Sequence, residues 1–328
     1  MKAALMVSTY NGEKVIDKCV RSLLNTKYEP KEVLIVIDGS DDGTLKALEK
    51  FSGKIRILEK KRGGVGDSRN FGLKHADADL VAITDDDCEV DPDWVSEASG
   101  YFTDDRVAAV TGCKKYKITN LISAVRSMEY HTRFVRRGKE ANSVECPVVV
   151  FNRDAILKVG GFTSRSLVGG EDTDIGYKLK EAGYRIIYEP RMVVYHDPED
   201  SMKIYLKRNY RNAKAYVWVF YNRSKKEAMT DDFFPWLLLA QPFLTILWVL
   251  SGVMIFFNVW FILLLLFLTL FIFGSFVPVI KEVVRLKGRG IIIPAAWQLF
   301  LRNVAWCCGL VTGVLDLFRV SAPTQREE

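Results

Sequence analysis

Leu80-Val81-Ala82-Ile83-Thr84-Asp85-Asp86-Asp87 is the stretch that decides how the rest of the chain is read. An apolar run without polar interruption predicts a strand buried on both faces, as in a parallel sheet. The run stops in three carboxylates. In an open α/β sheet the carboxyl ends of the strands face the ligand crevice, which predicts a binding site at this triplet. If the extended chain continues, Asp85 and Asp87 point one way and Asp86 the other. Carboxylates this close repel one another unless a cation sits among them. A divalent ion carrying a nucleotide diphosphate meets that need, because Mg²⁺ is held by one or two carboxylates together with substrate phosphates. The alternative is a solvated acidic loop ahead of a helix.

Outward from this stretch the pattern alternates. Strand-like apolar runs cover residues 3–8, 33–37, 55–58, 107–112, 144–151, 185–188 and 192–195. Helical spacing of apolar residues marks 13–24, 121–137 and 173–182, and a further helix carries Arg69 and Asn70. Strand and helix in turn predict a doubly wound sheet. Turn chemistry is dense at Asp38-Gly39-Ser40-Asp41-Asp42-Gly43 and at Gly63-Gly64-Val65-Gly66. There are no internal repeats.

Hydrophobic residues make up 49% of the 328 and charged residues 26%, but the two are segregated: residues 233–280 contain no charge. This division predicts a catalytic domain over 1–200, a basic amphipathic region over 201–232, a transmembrane region over 233–320 and a short tail over 321–328. Within the apolar part, 236–257 and 259–280 are each long enough to span hydrocarbon, with Asn258 at the turn of a hairpin. A third segment, 291–318, holds Arg302 and Asn303 near its middle. It either spans with Arg302 facing protein or lies bent in the interface. Between 203 and 221, Lys203, Lys207, Arg208, Arg211 and Lys214 alternate with Tyr205, Tyr210, Tyr216, Trp218 and Tyr221, as in a helix lying on a membrane surface. The alternative is an ordinary amphipathic helix on the globular domain. Basic residues flank the hairpin on both sides, so both flanks are expected in the cytoplasm. The chain opens on a strand pattern without a signal-peptide layout, which points the first domain the same way.

A net charge of +6 admits nucleic acid or an anionic membrane as partner. The basic residues crowd beside the apolar hairpin rather than along a groove-sized strip, which favours the membrane and excludes nucleic acid. The six cysteines lack the paired spacing of a zinc site or a disulfide framework and read as buried thiols.

The motifs Ser8-Thr9-Tyr10-Asn11, Asp38-Gly39-Ser40-x-Asp42-Gly43-Thr44, Gly66-x-x-Arg69-Asn70-x-Gly72, Asp85-x-Asp87 and Gly170-Glu171-Asp172-x-Asp174 occur in this order. With them, residues 1–197 resemble the inverting GT-A glycosyltransferases of family 2. The resemblance implies a Rossmann-like mixed α/β sheet, here followed by C-terminal transmembrane helices. It implies a nucleotide-diphosphate sugar donor, UDP-hexose in the first instance, contacted by Ser8, Thr9 and Tyr10. Asp38 reads the base, Arg69 reaches the diphosphate, and Asp85 and Asp86 hold the ribose. A Mn²⁺ or Mg²⁺ ion falls to Asp87, with Asp85 and His196 as further ligands.

Asp172 is the expected general base, with Glu171 as runner-up; the alternative is that both merely cap the helix that follows. A phosphate acceptor is already ionised and needs no base, so the pair favours a hydroxyl on a lipid-linked glycan or glycolipid. Lys207, Arg208 and Arg211 would face the lipid phosphate. A polyprenyl-phosphate sugar synthase is the rival of the same fold, and a non-catalytic membrane scaffold the rival of another class. Two departures stand out. The donor-sugar region reads Cys146-Pro147-Val148-Val149-Val150-Phe151, unlike many relatives. The Gln-x-x-Arg-Trp motif of processive enzymes is absent, which predicts transfer of a single sugar.

Overall fold

The quoted apolar run lies inside a nine-stranded mixed sheet. The computed structural model describes residues 1–134, 138–164, 170–197, 200–222 and 236–321. The chain divides into two compact units. One is built on residues 1–117 and 134–197, the other on 118–133 and the residues that follow 198.

The first unit begins as alternation dictates, with β1 (Ala3–Thr9), α1 (Ile16–Leu24), β2 (Lys31–Asp38), α2 (Thr44–Glu49), β3 (Arg56–Lys60), α3 (Val65–His75) and β4 (Leu80–Asp85). β4, β1, β2 and β3 run parallel and side by side. Then come β5 (Cys88–Val90), α4 (Trp94–Ser99), β6 (Val107–Tyr116), α5 (Leu121–Phe134), β7 (Glu140–Ala141), β8 (Val149–Asn152), α6 (Arg153–Lys158), α7 (Glu171–Glu181) and β9 (Arg185–His196). The strand order is β3-β2-β1-β4-β8-β6-β9-β5, with β7 paired to β9. β8 runs antiparallel to both β4 and β6, so the doubly wound parallel pattern holds for the first half only and the sheet is mixed.

Three sequence expectations change. The strand predicted over 144–151 starts at Val149, because a 3-10 turn occupies Cys146–Val148 and Pro147 has no N–H for a ladder. The two strands predicted at 185–188 and 192–195 are one, β9, which runs through Pro190. The helix predicted from 173 starts at Glu171, so Asp172 lies in its first turn. The core of this unit joins Leu5, Val7, Ile35, Leu80, Ala82, Val110, Val150 and Val194 with Ile16, Val20 and Trp94 from the flanking helices.

The second unit contains most of α5, then α8 (Met202–Asn222), α9 (Trp236–Met254), α10 (Phe261–Lys287) and α11 (Ile292–Ser321). Among the described residues two helices, Phe261–Lys287 and Arg289–Phe318, are long and apolar enough to cross a membrane, and Ala240–Met254 is a shorter apolar helix. Asn258 lies in the turn between α9 and α10 and accepts the Trp260 N–H through Oδ1 at 3.0 Å. Leu247, Val253, Phe267 and Leu270 are exposed on the outer faces of this pair.

The 291–318 segment is a single helix, not a bent pair, and Arg302 faces protein. The Arg302 guanidinium pairs with Glu129 of α5, donates to Gln241 of α9, and meets Asn303 Oδ1 at 2.8 Å. Tyr205 of α8 donates to the same Glu129 at 2.8 Å. One face of α8 packs on α11, where a Cβ on Gly309 would stand 2.3 Å from the Tyr210 carbonyl. Lys203, Lys207 and Arg211 lie on the exposed face, Arg208 is half-buried, and Lys214 pairs with Asp316 at 2.5 Å.

Candidate active site

β4 ends at Asp85, and the chain turns at Asp86 and Asp87 before entering β5. The turn cancels the alternation expected along the triplet, and Asp85 and Asp87 have different partners. Asp85 accepts from Arg69 Nη2 at 3.0 Å. Asp86 accepts from Thr9 Oγ1 at 2.6 Å. Asp87 Oδ1 faces His196 Nε2 at 3.3 Å. Burial pushes the Asp86 carboxyl up to about 7; the Thr9 hydroxyl opposes this, and the charges of Asp87 and Asp85 add to it.

β5 was not foreseen, because three residues carry no readable period. It matters most here. Its antiparallel register sets Cys88 opposite His196, the last residue of β9. Directly opposed residues present their side chains on the same face. The ligand atoms of Asp87, Cys88 and His196 lie within 4.8 Å of one another. His196 Nδ1 is 2.6 Å from the Asp197 carbonyl oxygen, so that nitrogen carries a proton and Nε2 is the one turned to Asp87. Asp85, expected among the metal ligands, is outside this cluster because the Arg69 guanidinium claims it.

Asp38 closes β2 and is almost fully enclosed. It accepts from Lys60 Nζ at 2.8 Å, the Gly63 N–H at 2.9 Å and the Gly64 N–H at 2.8 Å. Burial raises its carboxyl, but Lys60 and the two backbone N–H groups outweigh burial and hold it below the usual carboxylate range. The Asp38 carboxylate thereby fixes the glycine loop that opens α3. Tyr10 is exposed, with the Arg62 guanidinium 3.4 Å above its ring centroid. The Ser8 hydroxyl is buried without a hydrogen-bond partner among the described residues.

The Gly66-x-x-Arg69-Asn70-x-Gly72 motif explains itself as a docking face. A Cβ on Gly66 would meet the Thr163 carbonyl at 2.5 Å, and one on Gly72 would meet Met6 Sδ at 2.2 Å. Asn70 donates to the Phe162 carbonyl at 2.7 Å and accepts the Phe162 N–H at 2.8 Å. Arg69 is buried rather than an open fork. Besides Asp85 it donates to Glu171 Oε1 at 2.7 Å, joining the end of β4 to the start of α7. Glu171 Oε2 is buried and has no hydrogen-bond partner among the described residues.

Asp172 is half-buried and accepts the Thr173 N–H at 2.8 Å. Burial, then the charges of Glu171 and Glu145, push its carboxyl up to about 8. Glu145, which sequence reasoning missed, is buried 3.7 Å from Lys114. The cap position of α7 belongs to Gly170 at φ 87°, a left-handed conformation suited to glycine, so Glu171 and Asp172 occupy the first turn instead. The residues 165–169 leading to it lie outside the described residues, as do the basic residues at 223–226 that precede the hairpin.

The family model described as Glycosyl transferase family 2 matches residues 4–160. Residues 4–160 are a family 2 glycosyltransferase domain. Its sheet is the GT-A fold, as a solved neighbour shows: a mannosyltransferase from Pyrobaculum calidifontis, in complex with GDP-Man and Mn²⁺, superposes with a TM-score of 0.61 at 20% identity, covering 96% of this chain and 87% of that one. GalNAc-T7 with UDP, GalNAc and Mn²⁺ gives a TM-score of 0.54 at 15% identity, covering 74% of this chain and 50% of that one. By sequence, the poly-beta-1,6-N-acetyl-D-glucosamine synthase of Staphylococcus aureus is 26% identical over 255 residues. That match covers 74% of this chain and 61% of the synthase, so the chain spans about three fifths of that relative's length.

The first unit thus contains Asp38, Arg69, Asp85, Asp86 and Asp87 of the matched domain and, beyond residue 160, Glu171, Asp172 and His196. Lys207, Arg208 and Arg211 belong to the second unit.

Proposed function

We propose that the chain transfers one sugar, with inversion, from a nucleotide-diphosphate sugar to a hydroxyl of a lipid-linked glycan or glycolipid at a membrane surface. The observation that carries this reading is the Arg69 bridge. It ties Asp85, at the binding end of β4, to Glu171, next to the expected base Asp172.

In this reading the nucleotide lies across the ends of β1, β2 and β4. Tyr10 and Asp38 stand at its base, and Asp85 and Asp86 at its ribose. Asp87 and His196 Nε2 fit a divalent ion by donor type and by the Nδ1 contact that turns Nε2 to Asp87; bound there, the ion would neutralise the departing diphosphate. Asp172 takes the proton of the acceptor hydroxyl as oxygen closes on the anomeric carbon. A carboxyl raised to about 8 suits that step, because a base works best with a pKa near the working pH. Arg69 anchors Glu171 through their ion pair and so steadies the first turn of α7.

The apolar helices α10 and α11 and the exposed Lys203, Lys207 and Arg211 of α8 support anchorage in an anionic membrane. The named neighbours were solved with GDP-Man or UDP and with Mn²⁺, which supports a nucleotide donor and a divalent ion here. The decisive experiment offers the full chain a hydroxyl-bearing glycolipid and a polyprenyl phosphate in parallel. Transfer to the hydroxyl acceptor that Asp172→Asn abolishes supports the reading. Transfer to phosphate that survives Asp172→Asn replaces it with the phosphate-acceptor synthase. Product length in the same assay tests single transfer against the polymer named for the S. aureus relative.

A further inference from the structure

We propose that the ion held by Asp87 and His196 takes the Cys88 thiolate as a third protein ligand, giving a site that selects borderline-soft divalent metals over Mg²⁺. The proposal rests on the reading that Asp87 and His196 hold a divalent ion.

Three observations place Cys88 there. β5 and β9 set Cys88 opposite His196, so both side chains leave the same face of the sheet. Both are buried, whereas Asp87 is more open and leaves a side for substrate phosphate. The spacing then fits a tetrahedral shell. Metal distances of about 2.0–2.2 Å to oxygen or nitrogen and about 2.3 Å to sulfur place neighbouring ligands about 3.4 Å apart for O and N and about 3.6 Å apart for S and O. Asp87 Oδ1 stands 3.3 Å from His196 Nε2 and 3.7 Å from Cys88 Sγ. The third edge, Cys88 to His196, is within 4.8 Å. Three protein ligands with one position open is the pattern of a catalytic rather than a structural ion.

The chemistry of the donor set follows. Carboxylate and water suit Mg²⁺ and Mn²⁺; imidazole and thiolate shift preference toward zinc and cobalt. The thiol proton leaves to solvent as the ion binds, because a coordinated thiol is deprotonated by the metal's charge. Binding is therefore accompanied by proton release.

Cobalt(II) added to the metal-stripped full chain tests this without reference to turnover. The expected result is a near-ultraviolet sulfur-to-cobalt charge-transfer band that Cys88→Ser removes and a Cys307→Ser/Cys308→Ser variant retains. Zinc-edge X-ray absorption of the unmutated protein is expected to show a sulfur neighbour at about 2.3 Å. Cys88→Ser is expected to weaken zinc binding tenfold or more and to leave Mg²⁺ binding within twofold. Cobalt that binds through His196 without the band, or zinc with only nitrogen and oxygen neighbours, overturns the thiolate and leaves the Asp87–His196 site standing. Failure of any divalent ion to bind overturns both.

Discussion

A carboxylate asked to remove a proton from an alcohol is a poor base at its ordinary pKa, and the base proposed above, Asp172, has surroundings that raise it. Burial is the largest cause, Glu171 the next and Glu145 the third. Two consequences have opposite signs. With Asp172 as the proposed base the ionised form does the work, so kcat/KM should rise with pH through about 8 and level off above it. Stability should move the other way. Between the unfolded value near 4 and the folded value near 8, the folded state binds more protons than the unfolded one, so stability falls as pH rises through that window. Asp172→Asn should lower kcat/KM by about 10²- to 10⁴-fold. It should also raise the melting temperature at pH 8.5 relative to the parent, with the gap closing towards pH 4. A variant equally inactive but no more stable at pH 8.5 would show that the carboxyl is not strained. The Glu-Asp pair was legible in the sequence. The pressure on it was not, because Glu145 lies 27 residues earlier in the chain and reaches Asp172 only through the fold. Motifs named Arg69, Asp85 and Glu171 separately, but not their pairing, because the two carboxylates that Arg69 bridges come from β4 and α7.

At the scale of elements, α3 acts as a pin. Its motif glycines admit the Thr163 carbonyl and Met6, and Asn70 holds both backbone groups of Phe162. Asn70→Ala leaves those groups without their partner and should cost about 1–3 kcal/mol, read by denaturant titration. Because Phe162 precedes the segment leading to α7, the same change should lower kcat while donor affinity, read by nucleotide-induced thermal shift, stays within a few-fold. Loss of donor affinity with unchanged kcat would assign Asn70 to the nucleotide instead. Gly66→Ala should be the harsher change, since its Cβ meets backbone that cannot rotate away, 2.5 Å off. The parallel strands and their helices were readable because each buries a full period of apolar side chains. β5 and the direction of β8 were not. A three-residue strand has no period, and the order in which strands pair is set by connections that no local pattern records.

At the scale of the whole chain, the second unit is tied across its helices by one buried ion pair. Arg302 in α11 is costly in an apolar segment unless it is answered. The answer is Glu129, 173 residues away in sequence, reinforced by Gln241 and Tyr205. The sequence displayed the problem, a cation amid apolar residues. It did not display the solution, because Glu129 sits in a helix that composition assigns to the catalytic domain. Removing one partner strands the other's charge, so Arg302→Leu should destabilise by about 3–5 kcal/mol. Replacing both partners removes the stranded charge, so Glu129→Leu/Arg302→Leu should recover much of that loss, because apolar side chains of similar volume replace buried ion pairs at little net cost. The measurement is thermal or denaturant unfolding of the full chain in detergent, with the two single variants and the double variant forming a cycle. Additive losses would mean that the two residues act independently. A double variant that regains stability but not transfer would show that the pair also sets the geometry in which α5 and α8 are held, a role that packing alone does not supply.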